Sequence, residues 1–207
     1  MTCRLWRVIL SFPLGGSMNF VNKLKNKRFN LQQLADLCDT DPKIVNKWRQ
    51  FCSLHKQLAP KSYGNGRVNH IWIQEMIDDV SNGVIAYGGQ GNSSADCYVN
   101  NQKTETKAYK SKDKKFHVAA SSFFASNCKV PEWKRLGKTT PEAESFLFEH
   151  SYDKNENYLL TSTSKLDLDF DDIEVIFISK DTLVKCLNPS DKRTAVLSEI
   201  NKKVRRL

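Results

Sequence analysis

The sequence predicts an α/β protein: a core with a mixed β-sheet flanked by helices, plus a small helical domain at the N-terminus. Three observations carry this. A helix-like segment from Ile71 to Val80 is followed by a two-strand hairpin pattern, by strands mixed with helices, and by the apolar run "IEVIFI" over 173–178 that reads as a buried strand. At 207 residues the chain exceeds one typical domain without reaching two, so one core with an appended piece is the expectation. A hydrophobic fraction of 40%, with four Trp and eleven Phe, excludes a disordered chain.

Taken in order, residues 1–17 form an unstructured or non-native start. Arg4 and Arg7 precede a short apolar run with the outline of a secretory signal, but the run is brief and broken by Pro13, and Met18 opens an ordinary beginning. Residues 18–62 are basic and helical in pattern, and are expected to be a separate domain. Leu31, Leu34, Ala35 and Cys38 mark one helix face, Asp39-Thr-Asp-Pro42 supplies turn and N-cap chemistry, and Ile44, Val45 and Trp48 mark the next helix. Two helices so tightly joined cross steeply, as in a helix-turn-helix. Ala35, Val45 and Trp48 have the spacing of the three residues that pack such a crossing, although Asp39 stands where a small turn residue is usual. On that reading Lys43, Asn46, Lys47 and Gln50 face outward and can reach a DNA groove; a plain helical hairpin is the alternative.

Ser62-Tyr-Gly-Asn-Gly66 marks the boundary with residues 63–207. Asn82-Gly83 ends the 71–80 helix, Tyr87 to Asn92 is a turn-rich connection, and strands over 95–99 and 103–109 are joined by a turn at Asn100-Asn101. Further elements are expected at 116–124, at 130–136, as a helix over 141–148, as strands over 158–168 and 173–178, and as helices over 181–187 and 195–204. The acidic run Asp167, Asp169, Asp171 and Asp172 lacks the glycine and terminal glutamate of a calcium loop and reads as a polar turn.

The net charge of +9 points to a polyanionic partner. Six cysteines show no C-x-x-C pair and no histidine at ligand spacing, which argues against structural zinc and for reduced thiols. No stretch of eighteen apolar residues exists, so no membrane partner is expected and a cytoplasmic location is.

Side chains two apart on a strand share a face, so Glu105 and Lys107 project together, and Asp96 across the turn reaches the same side. Two carboxylates and the backbone carbonyl of Thr106 suit a hard divalent cation, and a lysine beside them can orient an attacking water. Such a set matches phosphodiester hydrolysis. Lys103, Lys110, Lys112 and Lys114 around it would meet phosphates. His117 and His150 read as structural, and Ser121 to Asn127 as an aromatic helix rather than a base-reading segment. Other E-x-K or D-x-K triplets, at Glu132, Asp41 and Asp113, lack a preceding strand that carries an acid.

Asp96, nine residues, then Glu105-Thr106-Lys107 resembles the D...(D/E)-x-K signature of the PD-(D/E)XK nuclease superfamily, and the lead-in "GNSSADCYVNNQKTETKAYK" is similar to type II restriction endonucleases. Ala95 replaces the proline that names the motif, and Thr104 and Thr106 stand on the strand's buried side, where larger apolar residues are usual. The resemblance covers roughly residues 70–110. It implies a restriction-endonuclease-like core, Mg²⁺ held by Asp96, Glu105 and the Thr106 carbonyl, Lys107 assisting water, and Glu75 joining from the preceding helix. It further implies a homodimer cutting double-stranded DNA at a specific sequence, and a companion DNA methyltransferase. A non-catalytic helix-turn-helix regulator, and a related nuclease of repair, recombination or a mobile element, stand as alternatives.

Overall fold

The computed structural model describes residues 20–58, 66–89, 96–108, 115–117, 155–162, 168–188 and 191–207. Strand β1 (Lys27–Asn30) runs directly into helices α1 (Leu31–Leu37), α2 (Pro42–Leu58) and α3 (Gly66–Val80). A meander follows: β2 (Ile85–Tyr87), β3 (Cys97–Val99) and β4 (Gln102–Ala108). After β5 (Lys115–His117) come β6 (Asn157–Thr161), a 3₁₀ turn at Phe170–Asp172, β7 (Glu174–Ser179) and α4 (Lys180–Val184). The chain ends with β8 (Leu187–Asn188), β9 (Asp191–Val196), α5 (Leu197–Lys203) and β10 (Arg205–Arg206).

Seven strands form one mixed sheet in the order β10-β1-β7-β6-β4-β3-β2, and β5, β9 and β8 form a second, three-stranded one. In the large sheet β4 is parallel to β6 and β1 to β10, while the other neighbours are antiparallel. Side-chain alternation along β6 and β7 makes the sheet a middle layer. Leu159, Val175 and Phe177 face one side, joining Phe29, Val45, Trp48, Met76, Ile77 and Val99. Tyr158, Leu160, Ile176 and Ile178 face the other, against Leu183 of α4 and Ile200 of α5. The "IEVIFI" run is therefore apolar from Val175 to Ile178 because both faces of the strand are buried there.

Local chemistry explains the turns. Asn100 and Asn101 both adopt left-handed backbone, with φ of 51° and 63°, as the two-residue turn of a right-twisted hairpin requires. Asn30 caps α1 in a capping box with Gln33: its Oδ1 accepts from the Gln33 N–H at 2.8 Å, and its own N–H donates to Gln33 Oε1 at 2.9 Å. Asp39, where the helix crossing usually has a small residue, takes φ of 52°, a conformation asparagine and aspartate tolerate better than other side chains.

The expected boundary near residue 62 requires correction. Strand β1 lies inside the large sheet between β10 and β7, and Leu31, Leu34, Ala35, Val45, Trp48 and Cys52 of α1 and α2 share one apolar cluster with Ile73, Met76 and Val80 of α3. Residues 27–58 are thus part of the main core. Strands β1, β2, β8, β9 and β10 were not foreseen, the helix expected over 181–187 ends at Val184 so that Leu187 opens β8, and the helix expected over 195–204 is split into the end of β9, α5 and an approach to β10. The strand expected over 158–168 is shorter, at Asn157–Thr161. The expected elements at 130–136 and 141–148, and most of 116–124, lie outside the described residues, as do residues 1–17. Among the described residues no helix is long and apolar enough to cross a membrane.

Candidate functional site

The β3–β4 hairpin sets the geometry. Cys97 pairs with Thr104 across the two antiparallel strands, so Asp96, one residue before, falls opposite Glu105, one residue after. There β3 has ended, and the Asp96 carboxylate takes over its hydrogen bonding: Oδ2 accepts from the Thr106 N–H at 3.0 Å. Glu105 and Lys107 lie on the same face of β4 and are ion-paired, with side chains only 20% and 16% exposed. On the strand's other face Thr104 and Thr106 are buried. Thr106 Oγ1 lies 3.6 Å from the Cys97 sulfur and Thr104 Oγ1 donates to the Gln102 carbonyl at 3.3 Å, so both inward hydroxyls have local partners.

The electrostatics follow from this crowding. Burial raises the Glu105 carboxyl above its ordinary range, the Asp96 charge raises it further, and Lys107 pulls it back through its charge and hydrogen bond without cancelling the rise. Across β4 on the other side, Tyr158 of β6 is in register with Glu105. Burial first and the Glu105 charge second push the Tyr158 phenol up, while a hydrogen bond with Asn155 opposes this. Burial also raises Tyr87, at the end of β2, with the charges of Glu75 and Asp96 adding to it. Glu75, half-buried on α3, thus acts together with Asp96 on the Tyr87 phenol. It does not close a three-acid cluster with Asp96 and Glu105: among the described residues no group of three or more His, Cys, Asp or Glu side chains is placed to hold a metal ion.

Two crowded carboxylates with one lysine are short of positive charge, and one further cation would relieve them. Mg²⁺ commonly takes one or two protein carboxylates and fills its other positions with water and phosphate oxygens. Asp96, Glu105 and the Thr106 carbonyl fit that donor chemistry.

The other sequence-derived residues divide. Lys103 is exposed and pairs with Tyr98 on the hairpin, whereas Lys110, Lys112 and Lys114 lie outside the described residues. Ala35, Val45 and Trp48 are buried in the apolar cluster that α1 and α2 share with Ile73, Met76 and Val80 of α3, and Lys43, Asn46, Lys47 and Gln50 are exposed on α2. Lys47 lies 3.8 Å from Asp79 and its ammonium sits 5.0 Å from the Trp48 ring centre. These helices pack on the sheet face opposite to Glu105 and Lys107, because Glu105 is in register with Tyr158 of the other apolar cluster. The acidic run is a docking turn: Asp171 accepts two hydrogen bonds from Arg49, at 3.0 and 2.8 Å, and Asp169 accepts from Lys56 at 2.6 Å. Tyr158 and Tyr87 were missed, since only sheet register brings them to the acids.

No protein-family model, no curated protein and no solved structure matches this chain.

Proposed function

We propose that the protein is a Mg²⁺-dependent endonuclease of double-stranded DNA, with a restriction-endonuclease-like core and its active site on the β3–β4 hairpin. The supporting observation is the placement of Asp96 opposite Glu105, with Lys107 beside Glu105. A helix bearing Glu75, an acid immediately before a strand, and a strand bearing E-x-K occur in the order the resemblance calls for.

Asp96, oriented by the Thr106 N–H, and Glu105 would hold the cation together with the Thr106 carbonyl, and Glu75 would act from the Tyr87 side. When bound, the cation offsets charge on the phosphate oxygens and acidifies a coordinated water. Lys107, poised by Glu105, donates hydrogen bonds that orient the attacking water and favour its deprotonated form. Lys103, with Lys110, Lys112 and Lys114, binds phosphates and so aligns the backbone. Cutting at one sequence, as a homodimer with a companion methyltransferase protecting host DNA, completes the reading.

Plasmid incubated with protein and Mg²⁺ tests it. The parent is expected to give discrete fragments, and Glu105→Ala and Lys107→Ala to cut at least ~100-fold more slowly while still binding DNA. Intact plasmid with the parent across several DNAs and divalent metals would remove the nuclease reading, and undiminished cutting by Glu105→Ala would remove this site. Exposure of Lys43, Asn46, Lys47 and Gln50 supports a second reading, a DNA-binding regulator. It calls for sequence-selective binding without cutting, abolished by Lys43→Glu with Lys47→Glu.

A further inference from the structure

Far along the sheet from the hairpin, parallel pairing of β1 with β10 joins the two most cationic runs of the described chain. "VNKLKNKR" at 21–28 and "INKKVRRL" at 200–207 each carry four Lys or Arg residues and no acid. In register, Lys27 stands beside Arg205 and Arg28 beside Arg206, held by hydrogen bonds from the Arg205 N–H to the Asn26 carbonyl at 3.1 Å and from the Leu207 N–H to the Arg28 carbonyl at 2.9 Å. Neighbours across a parallel pair share a face, so each face of this edge carries one cation directly against another, an arrangement that costs stability.

Little local charge offsets it. Glu174 lies 3.7 Å from Arg28, and Glu199 is bonded to Lys202 at 2.7 Å. Lys23, Lys25, Lys203, Arg205 and Arg206 are exposed, and Arg28 Nε has no hydrogen-bond acceptor among the described residues. One or two charges suffice to keep a sheet edge from pairing with another chain. Setting aside Arg28, which bonds Asn201 and faces Glu174, and Lys202, which is paired with Glu199, six of the eight cations in these runs, among them Arg205 and Arg206 whose forks match phosphate geometry, exceed that task.

We propose that the β1–β10 edge is a docking surface for the phosphate backbone of double-stranded DNA. Charge complementarity selects a polyanion and rejects a second copy, since copies meeting edge to edge would set arginine against arginine. A regularly spaced duplex backbone also suits a rigid strand pair presenting side chains at fixed intervals, whereas a membrane surface favours an amphipathic helix with aromatic anchors. The inference goes beyond the hairpin proposal and does not depend on it.

Binding of a fluorescein-labelled duplex of random sequence, followed by anisotropy in EDTA over a salt series, tests it. Arg205→Glu with Arg206→Glu is expected to weaken binding at least tenfold near physiological salt. It should also flatten the dependence of log affinity on log salt by about two, at about 0.9 for each phosphate no longer neutralised. Lys23→Glu with Lys25→Glu, which leaves both strands untouched, should weaken binding in the same direction. No binding by the parent, or parent-like affinity and salt slope in both charge-reversed variants, would overturn the proposal. So would sedimentation with phosphatidylserine vesicles in the absence of duplex binding, or an edge-dependent dimer that binds no DNA.

Discussion

Glu105 concentrates the chemistry of the hairpin because three influences on one carboxyl oppose each other. Burial and the nearby Asp96 charge favour the protonated form, and Lys107 favours the ionised one, with a net rise. A carboxyl raised on folding holds its proton more tightly in the folded chain. Its contribution to stability is therefore complete below the unfolded pKa and is lost as pH rises through the folded one. The ionised form that a metal requires is therefore reached at a higher pH than for an ordinary glutamate. Removing each partner separates the causes. In a carboxyl-carbon NMR titration, Lys107→Ala should move the Glu105 midpoint further up, and Asp96→Asn should move it down towards an ordinary glutamate. A midpoint that stays put in both variants would mean that desolvation alone sets it and that the three side chains are not coupled.

At the scale of elements, two kinds of interaction compete to fix α2 against the rest of the fold. Its ionic contacts with the 3₁₀ turn are conspicuous: Arg49 is bonded to Asp171 at 2.8 Å and Lys56 to Asp169 at 2.6 Å, but these side chains are about half exposed. Exposed pairs contribute up to ~1 kcal/mol, whereas truncating a buried tryptophan costs ~3–5 kcal/mol. Trp48 is 4% exposed, stacks edge-on against Phe51 with ring centres 5.3 Å apart, and donates from Nε1 to Asp79 at 3.0 Å. Packing therefore outweighs ion pairing. A double-mutant cycle of Arg49→Ala and Asp171→Ala, read by urea unfolding, should give a coupling of no more than ~1 kcal/mol that fades with salt. Trp48→Ala should lose several times that; equal losses would invert the ranking. These helices were legible beforehand because their apolar period, N-cap and turn residues are local signals. The hairpin was legible for the same reason, through Asn100-Asn101 and the spacing of Asp96 to Glu105. Strand β1, "KRFN", has one apolar residue in four and no alternation to detect, and its strand character comes from β7 and β10 far along the chain.

For the whole molecule, that missed strand changes what counts as a unit. A chain cut at the glycine-rich break after Ser62 was expected to leave an intact catalytic domain, yet Phe29, Leu31, Leu34, Val45 and Trp48 are all buried in the cluster that also holds Ile73, Met76 and Phe177. Burying one large apolar side chain is worth roughly 1.5–3 kcal/mol. Five of them together come to roughly 7.5–15 kcal/mol, comparable with the ~5–15 kcal/mol by which a typical domain is stable. Loss of β1 would also leave the hydrogen-bonding edge of β7 open along four paired residues, Phe177 to Glu174. The fragment 63–207 is therefore expected to lack a cooperative thermal transition and to aggregate. Adding the fragment 18–62 in trans should restore folding to the extent that the two pieces associate, since the missing surface is the complement of the one exposed. A sharp transition for 63–207 alone, within a few degrees of the full chain, would show that residues 27–58 decorate the core rather than complete it. The hairpin carboxylates would then be held in place without them.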